Sequence, residues 1–313
     1  MKKSEFFQGI LFVILAAFLW GIGGGVAGLL LNKGWDPIVI AAFRALIGLL
    51  FLIIWFLCRK HTPLTLNKPL VIWSSVAGIG MAGNIGFYFI SIAYTNVPIA
   101  ATLMYTAPIF VLFIAFIFKT ETMTTFKLAS TFIVMIGIIL LTGVYNIHLP
   151  NMNVIGIISG LLSGLSYAVF IFAYKYSSGH GNTMTILNVS ALVEFFTLFL
   201  LANKWQFGMV ITVYQDLVWF ILLGFLGAGL SVFLYVHGLK KVSPGIASII
   251  AMIEPITASI FGIIVLAQFL TSMQLIGMFM ILLTVTSLSY HSIKQEQKVA
   301  IKKTQHLPSL FAK

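Results

Sequence analysis

The chain has 313 residues, of which 60% are hydrophobic and only 8% are charged. Soluble domains carry about a quarter charged residues, so this composition excludes an ordinary soluble fold and indicates a polytopic membrane protein. The net charge of +11 does not indicate nucleic-acid binding, because the basic residues stand one or two at a time between apolar runs.

Ten apolar stretches are long enough to cross a hydrocarbon core of ~30 Å. In chain order they are predicted at about residues 6–31, 38–57, 70–91, 98–118, 126–145, 154–174, 183–202, 217–238, 244–267 and 272–291. The first follows a Met1-Lys2-Lys3 start that resembles a signal peptide. It is long enough to span and shows no small-residue cleavage pattern, so we interpret it as a retained helix.

The basic residues predict how the chain is oriented. With the N-terminus in the cytoplasm, 15 of the 18 Lys and Arg residues fall on the cytoplasmic side, Arg44 lies within a span, and only Lys33 and Lys204 fall outside. Cytoplasmic connections of membrane proteins carry such an excess. We therefore predict an even number of spans, with both termini in the cytoplasm.

A shift of 147 residues places the second half of the sequence on the first without a gap. The matches include Gly80 on Gly227, Tyr88 on Tyr235 and Pro108-Ile109 on Pro255-Ile256. We predict one five-helix repeat over 1–147, a second over 148–291, and a polar, basic cytoplasmic tail over 292–313. Because each half holds an odd number of spans, the repeats should be inverted, as in transporters that bind substrate near the midplane. The predicted fold class is thus an all-α membrane protein with ten spans in two inverted repeats.

Several short motifs accompany this topology. They are Leu19-Trp20-Gly21, Phe43-Arg44, Pro108 and Glu121 in the first half, and Ser166-Tyr167-Ala168, Lys175 and Glu254-Pro255 in the second. Over roughly residues 6–291 the chain resembles the EamA-type branch of the drug/metabolite transporter superfamily. The resemblance implies a carrier in a bacterial inner membrane that moves small metabolites by alternating access. It also implies a central cavity lined by helices 1, 3, 4, 6, 8 and 9, with helices 5 and 10 away from it.

The chain departs from the family pattern at two places. Gln268 stands in the second half where the first half has Glu121, and Ala107 stands in the first half where the second has Glu254. We therefore expect the cavity to be electrostatically asymmetric.

Glu254 is the only formal charge between Pro244 and Ala267. At ~1.5 Å per residue it lies about 15 Å along the span, near the midplane, where a charged carboxylate is costly unless it faces water, a partner or a ligand. Pro255 has no N–H, so it should kink the helix and free the Ala251 carbonyl. We interpret Glu254 as a candidate for substrate binding and proton coupling; the alternative is a structural role in a kinked core helix.

Polar and aromatic residues suggest a lining. Asn84 and Tyr88 lie on one face of the third span, and Ser231 and Tyr235 repeat that spacing in the eighth. They are predicted to line a shared cavity, with hydrogen bonding between helices as the alternative. The other candidate substrate-binding residues are Trp20 and Tyr167, and the candidate kinks are Pro108 and Pro255. Trp20 precedes four glycines in five positions, which serve either close packing or a hinge.

Two further charges lie inside predicted spans. Arg44 lies about two turns into the second span, where it snorkels, pairs or binds an anion. Glu194 lies within the seventh span, and we favour a structural ion or hydrogen-bond partner for it. The sequence leaves open whether Arg44 meets Glu194, Glu254 or neither.

These features favour a secondary transporter of a small metabolite, which could be amino-acid-like, an amine or an aromatic compound. We expect an exporter, with Glu254 as the candidate for proton coupling. No Walker-type loop occurs, so this chain does not hydrolyse ATP. The alternatives are a passive facilitator or channel and, less favoured, a membrane-embedded enzyme, because the seven acidic residues are not clustered within the spans.

The expected partners follow from the same observations. We expect a small-molecule substrate and the lipid bilayer, no nucleic acid, and either a monomer or a homodimer. The lone Cys58 and six scattered histidines offer no metal-ligand spacing, so no metal and no cofactor are expected.

Overall fold

The computed structural model describes residues 3–58, 66–95, 97–120, 124–146, 153–266 and 269–306. Within these ranges ten helices are long and apolar enough to cross a membrane. In chain order they are α1 Ser4–Asn32, α2 Pro37–Cys58, α3 Lys68–Ile92, α4 Ile99–Ile117, α5 Thr125–Thr142, α6 Val154–Ser177, α7 Thr183–Leu201, α8 Tyr214–Leu239, α9 Pro244–Val265 and α10 Ser272–His291. The described residues form no strand, and the predicted all-α membrane fold with ten spans is confirmed.

The last helix is longer than the sequence predicted. It runs without a break over Ser272–His306, so helix continues well past the predicted end of the tenth span at residue 291. The predicted polar tail is therefore helical throughout its described part, residues 292–306.

The first and second halves are joined by polar contacts near Lys33 and Asp216. Lys33 forms an ion pair with Asp216, and the indole N–H of Trp35 donates to the same carboxylate at 2.9 Å. The backbone N–H of Asp36 donates to Gln206 Oε1 at 2.8 Å, in the short helix Lys204–Met209. These contacts hold the α1–α2 connection against the segment that leads into α8.

Close helix packing follows the 147-residue register at one pair of matching contacts. A Cβ added at Gly9 of α1 would lie 2.6 Å from the Cβ of Lys241, just beyond α8. A Cβ added at Gly156 of α6 would lie 3.0 Å from the Cβ of Tyr94, at the end of the helix that contains α3. Gly156 and Lys241 are Gly9 and Tyr94 shifted by 147 residues. The same close approach thus occurs twice, with the two halves exchanged.

Helices α4 and α9 are both interrupted. In α4, Tyr105 and Thr106 separate the helices Val97–Met104 and Ala107–Ile117. In α9, the 3₁₀ turn Ala251–Ile253 separates Pro244–Ile250 from Glu254–Leu266. Each second helix begins one residue before a proline, at positions that match under the shift.

The prediction that Pro255 frees the carbonyl of Ala251 is wrong. The backbone N–H of Glu254 donates to the Ala251 carbonyl. A 3₁₀ turn pairs each carbonyl with the third residue onward instead of the fourth, so the missing N–H of Pro255 leaves no vacancy at Ala251.

Candidate substrate-binding site

A cavity of about 220 Å³ lies between the two halves. Its walls come from α1, α2, α3, α4, α6, α8 and α9. The resemblance implied the same helices except α2, which contributes Ile40, Ala41 and Arg44. Helices α5 and α10 do not contribute to the walls. They pack on each other instead, and a Cβ at Gly137 would lie 2.8 Å from the side chain of Ile281.

The charged groups on the wall are Arg44 and Glu254. The Nη2 of Arg44 donates to the carbonyl of Gly227 at 3.0 Å, within the π-helical turn Phe225–Leu230 of α8. Among the described residues, Arg44 Nε has no hydrogen-bond partner. Arg44 interacts electrostatically with both Glu254 and Glu194, but in the described part of the chain it forms a direct ion pair with neither. The guanidinium therefore lies near two carboxyl groups, the buried one of Glu194 and that of Glu254 on the cavity wall.

Glu254 reaches the wall because it opens the helix that follows the break in α9. The hydroxyl of Tyr105, which lies in the break of α4, lies close to this carboxyl group. Tyr88 and Tyr167 are its other electrostatic neighbours. The two helix interruptions thus bring a carboxyl group and a phenol together beside the cavity.

The sequence interpretation missed Tyr105. Its signal was available, since Tyr105 precedes Pro108 by three residues, as Met252 precedes Pro255. A proline-linked break in one repeat predicts a break at the matching place in the other, and residues beside such a break are candidates for a binding site.

Asn84 and Tyr88 both lie on the cavity wall. The Nδ2 of Asn84 also donates to the carbonyl and the hydroxyl of Ser163 at 3.1 Å, and that hydroxyl donates back to the Asn84 carbonyl at 2.7 Å. Asn84 therefore joins α3 to α6 while facing the cavity, so the two roles that the sequence offered for it coexist.

Ser231 and Tyr235 do not lie on this wall. Both are 0% exposed, and the ring of Tyr235 packs 4.9 Å from the ring of Trp20. Trp20 and Tyr167 do reach the wall. Among the described residues, the hydroxyls of Ser231, Tyr235 and Tyr167 have no hydrogen-bond partner. The hydroxyls of Tyr167 and Tyr235 approach each other, but outside hydrogen-bonding geometry.

The glycines after Trp20 divide between lining and packing. Gly23 and Gly24 lie on the cavity wall. A methyl group at Gly21 would collide with the Thr257 hydroxyl and the Glu254 carbonyl, and one at Gly25 would collide with the ring of Phe261. These glycines therefore expose the α1 backbone to the cavity on one face of the helix and allow α9 to pack closely on the other face.

Glu194 lies off the cavity wall. It is 3% exposed within α7, near Tyr174 and Arg44, and among the described residues its Oε1 has no hydrogen-bond partner. Arg44 is thus an electrostatic neighbour of Glu194 without a direct ion pair in the described ranges, and the structural role favoured for Glu194 stays a prediction. Glu121 and Gln268 lie outside the described residues.

No cluster of metal ligands accompanies the cavity. In the described ranges, no group of three or more His, Cys, Asp or Glu side chains could hold a metal ion. The cavity instead offers a cation, a carboxyl group, phenols and bare backbone, which are groups suited to binding a solute without a metal.

Comparisons with known proteins identify relatives over most of the chain. An "Uncharacterized transporter" of Archaeoglobus fulgidus is 28% identical over 86% of this chain and 92% of its own. The "Uncharacterized transporter YwfM" of Bacillus subtilis is 25% identical over 91% and 95%. The "Protein PecM" of Dickeya dadantii is 25% identical over 84% and 87%.

A protein of known crystal structure shares the fold, with a TM-score of 0.73 and 16% identity over 94% of this chain and 99% of that one. The EamA-like transporter family matches residues 7–143 and 154–290, one match in each half. The predicted resemblance is thereby confirmed: this chain is a multi-pass membrane protein that belongs to the EamA-like transporter family.

Proposed function

We propose that this protein is a secondary transporter that exports a small metabolite across the cytoplasmic membrane by alternating access. The observation that carries the proposal is the cavity between the halves, which holds Arg44 and Glu254 among aromatic walls. In this proposal both termini are cytoplasmic and the two repeats are inverted, so that each repeat controls access from one side.

The cavity suits a compact amphipathic solute. Trp20, Tyr88, Phe89 and Phe170 supply aromatic wall, while the polar groups are few, as in most small-molecule sites. A guanidinium and a carboxyl group in one cavity complement a solute with an amino group, a carboxylate or both. This chemistry supports an amino-acid-like compound, an amine or an aromatic metabolite.

Packing beside the cavity favours a carrier over a channel. Tyr174 and Tyr235, which lie toward the predicted cytoplasmic side of the cavity, are buried in the core. A channel needs a continuous aqueous path, whereas a carrier keeps one side packed while the other is open. The buried core supports the second arrangement.

Glu254 is the proposed coupling group. A carboxyl group on a cavity wall near mid-depth can hold a proton or the cationic head of a solute, but not both at once. Binding that is exclusive in this way exchanges a proton entering the cell for a solute leaving it.

The test begins with cells that do or do not express the protein, loaded with a pool of metabolites whose export is profiled. A metabolite that leaves faster is then assayed with purified protein in liposomes. We expect saturable counterflow of that metabolite. Flux that does not saturate and shows no counterflow would instead indicate a passive facilitator, and a chemically altered product would indicate an enzyme.

A further inference from the structure

The wall of the cavity has a counterpart in the second repeat. The 147-residue shift carries the wall positions of α1 and α3 onto α6 and α8. The pairs that matter are Ala27 and Tyr174, Gly28 and Lys175, Asn84 and Ser231, Tyr88 and Tyr235, Phe89 and Val236, and Ile92 and Leu239.

The two sets differ in packing. Tyr88, Phe89 and Ile92 are partly exposed to the cavity. Their counterparts Tyr235, Val236 and Leu239 are buried in the main apolar core. Matching positions thus face open space in the first repeat and are filled by side chains in the second.

Two of the buried counterparts carry hydroxyl groups without partners. Among the described residues, neither Ser231 nor Tyr235 forms a side-chain hydrogen bond. For Ser231 the reason is clear: Asn84 is held by Ser163, but the residue 147 positions before Ser163 is Ala16, which has no hydroxyl. A buried polar group without a partner is destabilising, and a second state that hydrates it or gives it a ligand would relieve that cost.

Lys175 links the ends of α6 and α8 in the second repeat. From the end of α6 its Nζ donates to the carbonyls of Leu239 at 2.6 Å and Val242 at 2.8 Å, where α8 ends. Carbonyls at a helix C-terminus attract cations, so these bonds draw α6 and α8 together. The matching residue in α1 is Gly28, and a Cβ there would meet no atom within 4 Å. A lysine therefore holds the ends of α6 and α8 together in the second repeat, whereas a glycine leaves the matching space between α1 and α3 open in the first.

We propose that α6 and α8 enclose a latent substrate site, lined by Ser231 and Tyr235 and closed by Lys175, which opens to the cytoplasm when the present cavity shuts. The inference rests on the proposed transport function, for which it supplies the cytoplasm-facing state. Its ligand is the same small solute. Once Lys175 leaves the two carbonyls, its ammonium group is a cation at the cytoplasmic ends of α6 and α8, which suits a solute bearing a carboxylate.

The first test measures access to Ser231. Single Ser231→Cys protein, with Cys58→Ser, is placed in membrane vesicles and treated with a membrane-impermeant methanethiosulfonate on each face in turn. Adding Lys175→Gly should raise the rate of modification from the cytoplasmic face by roughly tenfold or more, because a charge-assisted hydrogen bond biases an equilibrium by about that factor. Lys175→Arg keeps the donors and should leave the rate unchanged.

The reciprocal test introduces a lysine between α1 and α3, on the open side of the present cavity. Gly28→Lys places a lysine at the position in the first repeat that matches Lys175, and the shift pairs it with the carbonyls at the end of α3. Modification of Tyr88→Cys from the outer face should fall several-fold. Gly28→Met is the matched control, since its side chain has similar bulk and no donor, and it should leave modification nearly unchanged.

Two results would overturn the latent site. One is that Ser231→Cys stays inert from the cytoplasmic face with Lys175→Gly. The other is that Gly28→Lys and Gly28→Met change Tyr88→Cys modification equally. Both tests run without substrate, so they separate this inference from the function. If no metabolite is transported while Lys175→Gly and Gly28→Lys change cysteine modification as expected, the latent site stands and the transport proposal fails. If a metabolite is transported but neither substitution changes cysteine modification, the transport proposal stands and the latent site fails.

Discussion

Helices α4 and α9 are interrupted at matching places, immediately before Ala107-Pro108 in one and Glu254-Pro255 in the other. Both repeats therefore contain the helix break, but the reactive side chains beside it differ between the repeats. Tyr105 stands where α9 has the buried Met252, and Glu254 stands where α4 has the buried Ala107. Each repeat keeps one member of a phenol–carboxyl pair, and the repeated break brings the two together.

This comparison shows how a duplicated chain builds an asymmetric site. A few residues that set the backbone recur at matching positions, namely Pro108 and Pro255, Gly9 and Gly156, and Gly80 and Gly227. Charged and hydroxyl-bearing side chains, which contact a solute, do not need to recur, because a cavity between the halves draws on both copies at once.

The comparison requires α4 and α9 to run in opposite directions through the membrane, which gives the prediction with the largest effect. Reporter fusions at residue 313 and within residues 146–153 should report opposite sides, with residue 313 in the cytoplasm. The readout is all-or-none for a reporter that is active on one side only. The same side for both fusions would refute the inverted repeat.

Removing the carboxyl group from α9 should have the next largest effect. Glu254→Gln keeps the shape of the side chain but cannot exchange a proton, so accumulation driven by a pH gradient in liposomes should fall by roughly tenfold or more. Exchange of solute for solute should persist, since it needs no net proton movement.

Glu194→Gln is the matched control for this variant, because Glu194 is a buried carboxyl group off the cavity wall. It should retain pH-driven accumulation. An unchanged pH dependence in Glu254→Gln would exclude Glu254 as the coupling residue.

Removing the phenol's hydroxyl from α4 should have a smaller effect. Tyr105→Phe keeps the ring and removes the hydroxyl that lies close to Glu254. A polar contact of this kind contributes about 1 kcal/mol, so transport efficiency should fall roughly fivefold. Met252→Leu changes the matching residue of α9 and should stay near the original efficiency. If transport efficiency falls equally in the two variants, the effect comes from altered packing at the breaks and not from the Tyr105 hydroxyl. The measurement is initial-rate transport over a range of solute concentrations.

The fold was largely predictable from the sequence because its determinants are local. Apolar length sets the spans, and recurring residues such as Pro108 and Pro255 reveal the duplication. The wall positions of Trp20, Asn84, Tyr88 and Glu254 followed from depth and repeat spacing.

The positions of Ser231 and Tyr235 could not be predicted in the same way. A duplicated sequence assigns equal status to Tyr88 and Tyr235, whereas in the structure one lines the cavity and the other is buried. In the proposal made above, which copy is open is a property of the conformational state and depends on differences as small as Gly28 against Lys175. Repeat spacing alone carries no information about that choice.

The π-helical turn Phe225–Leu230 gives α8 a choice of register. Such a turn accommodates one residue more than an α-helical turn, so converting it to α-helix would rotate everything beyond it by about 100°. Ser231 and Tyr235 lie directly beyond it. The bond from Arg44 to the Gly227 carbonyl is made inside this turn. A solute that drew the guanidinium away would remove this bond from the π-helical turn. If the turn then became α-helical, the hydroxyls of Ser231 and Tyr235 would face a different direction.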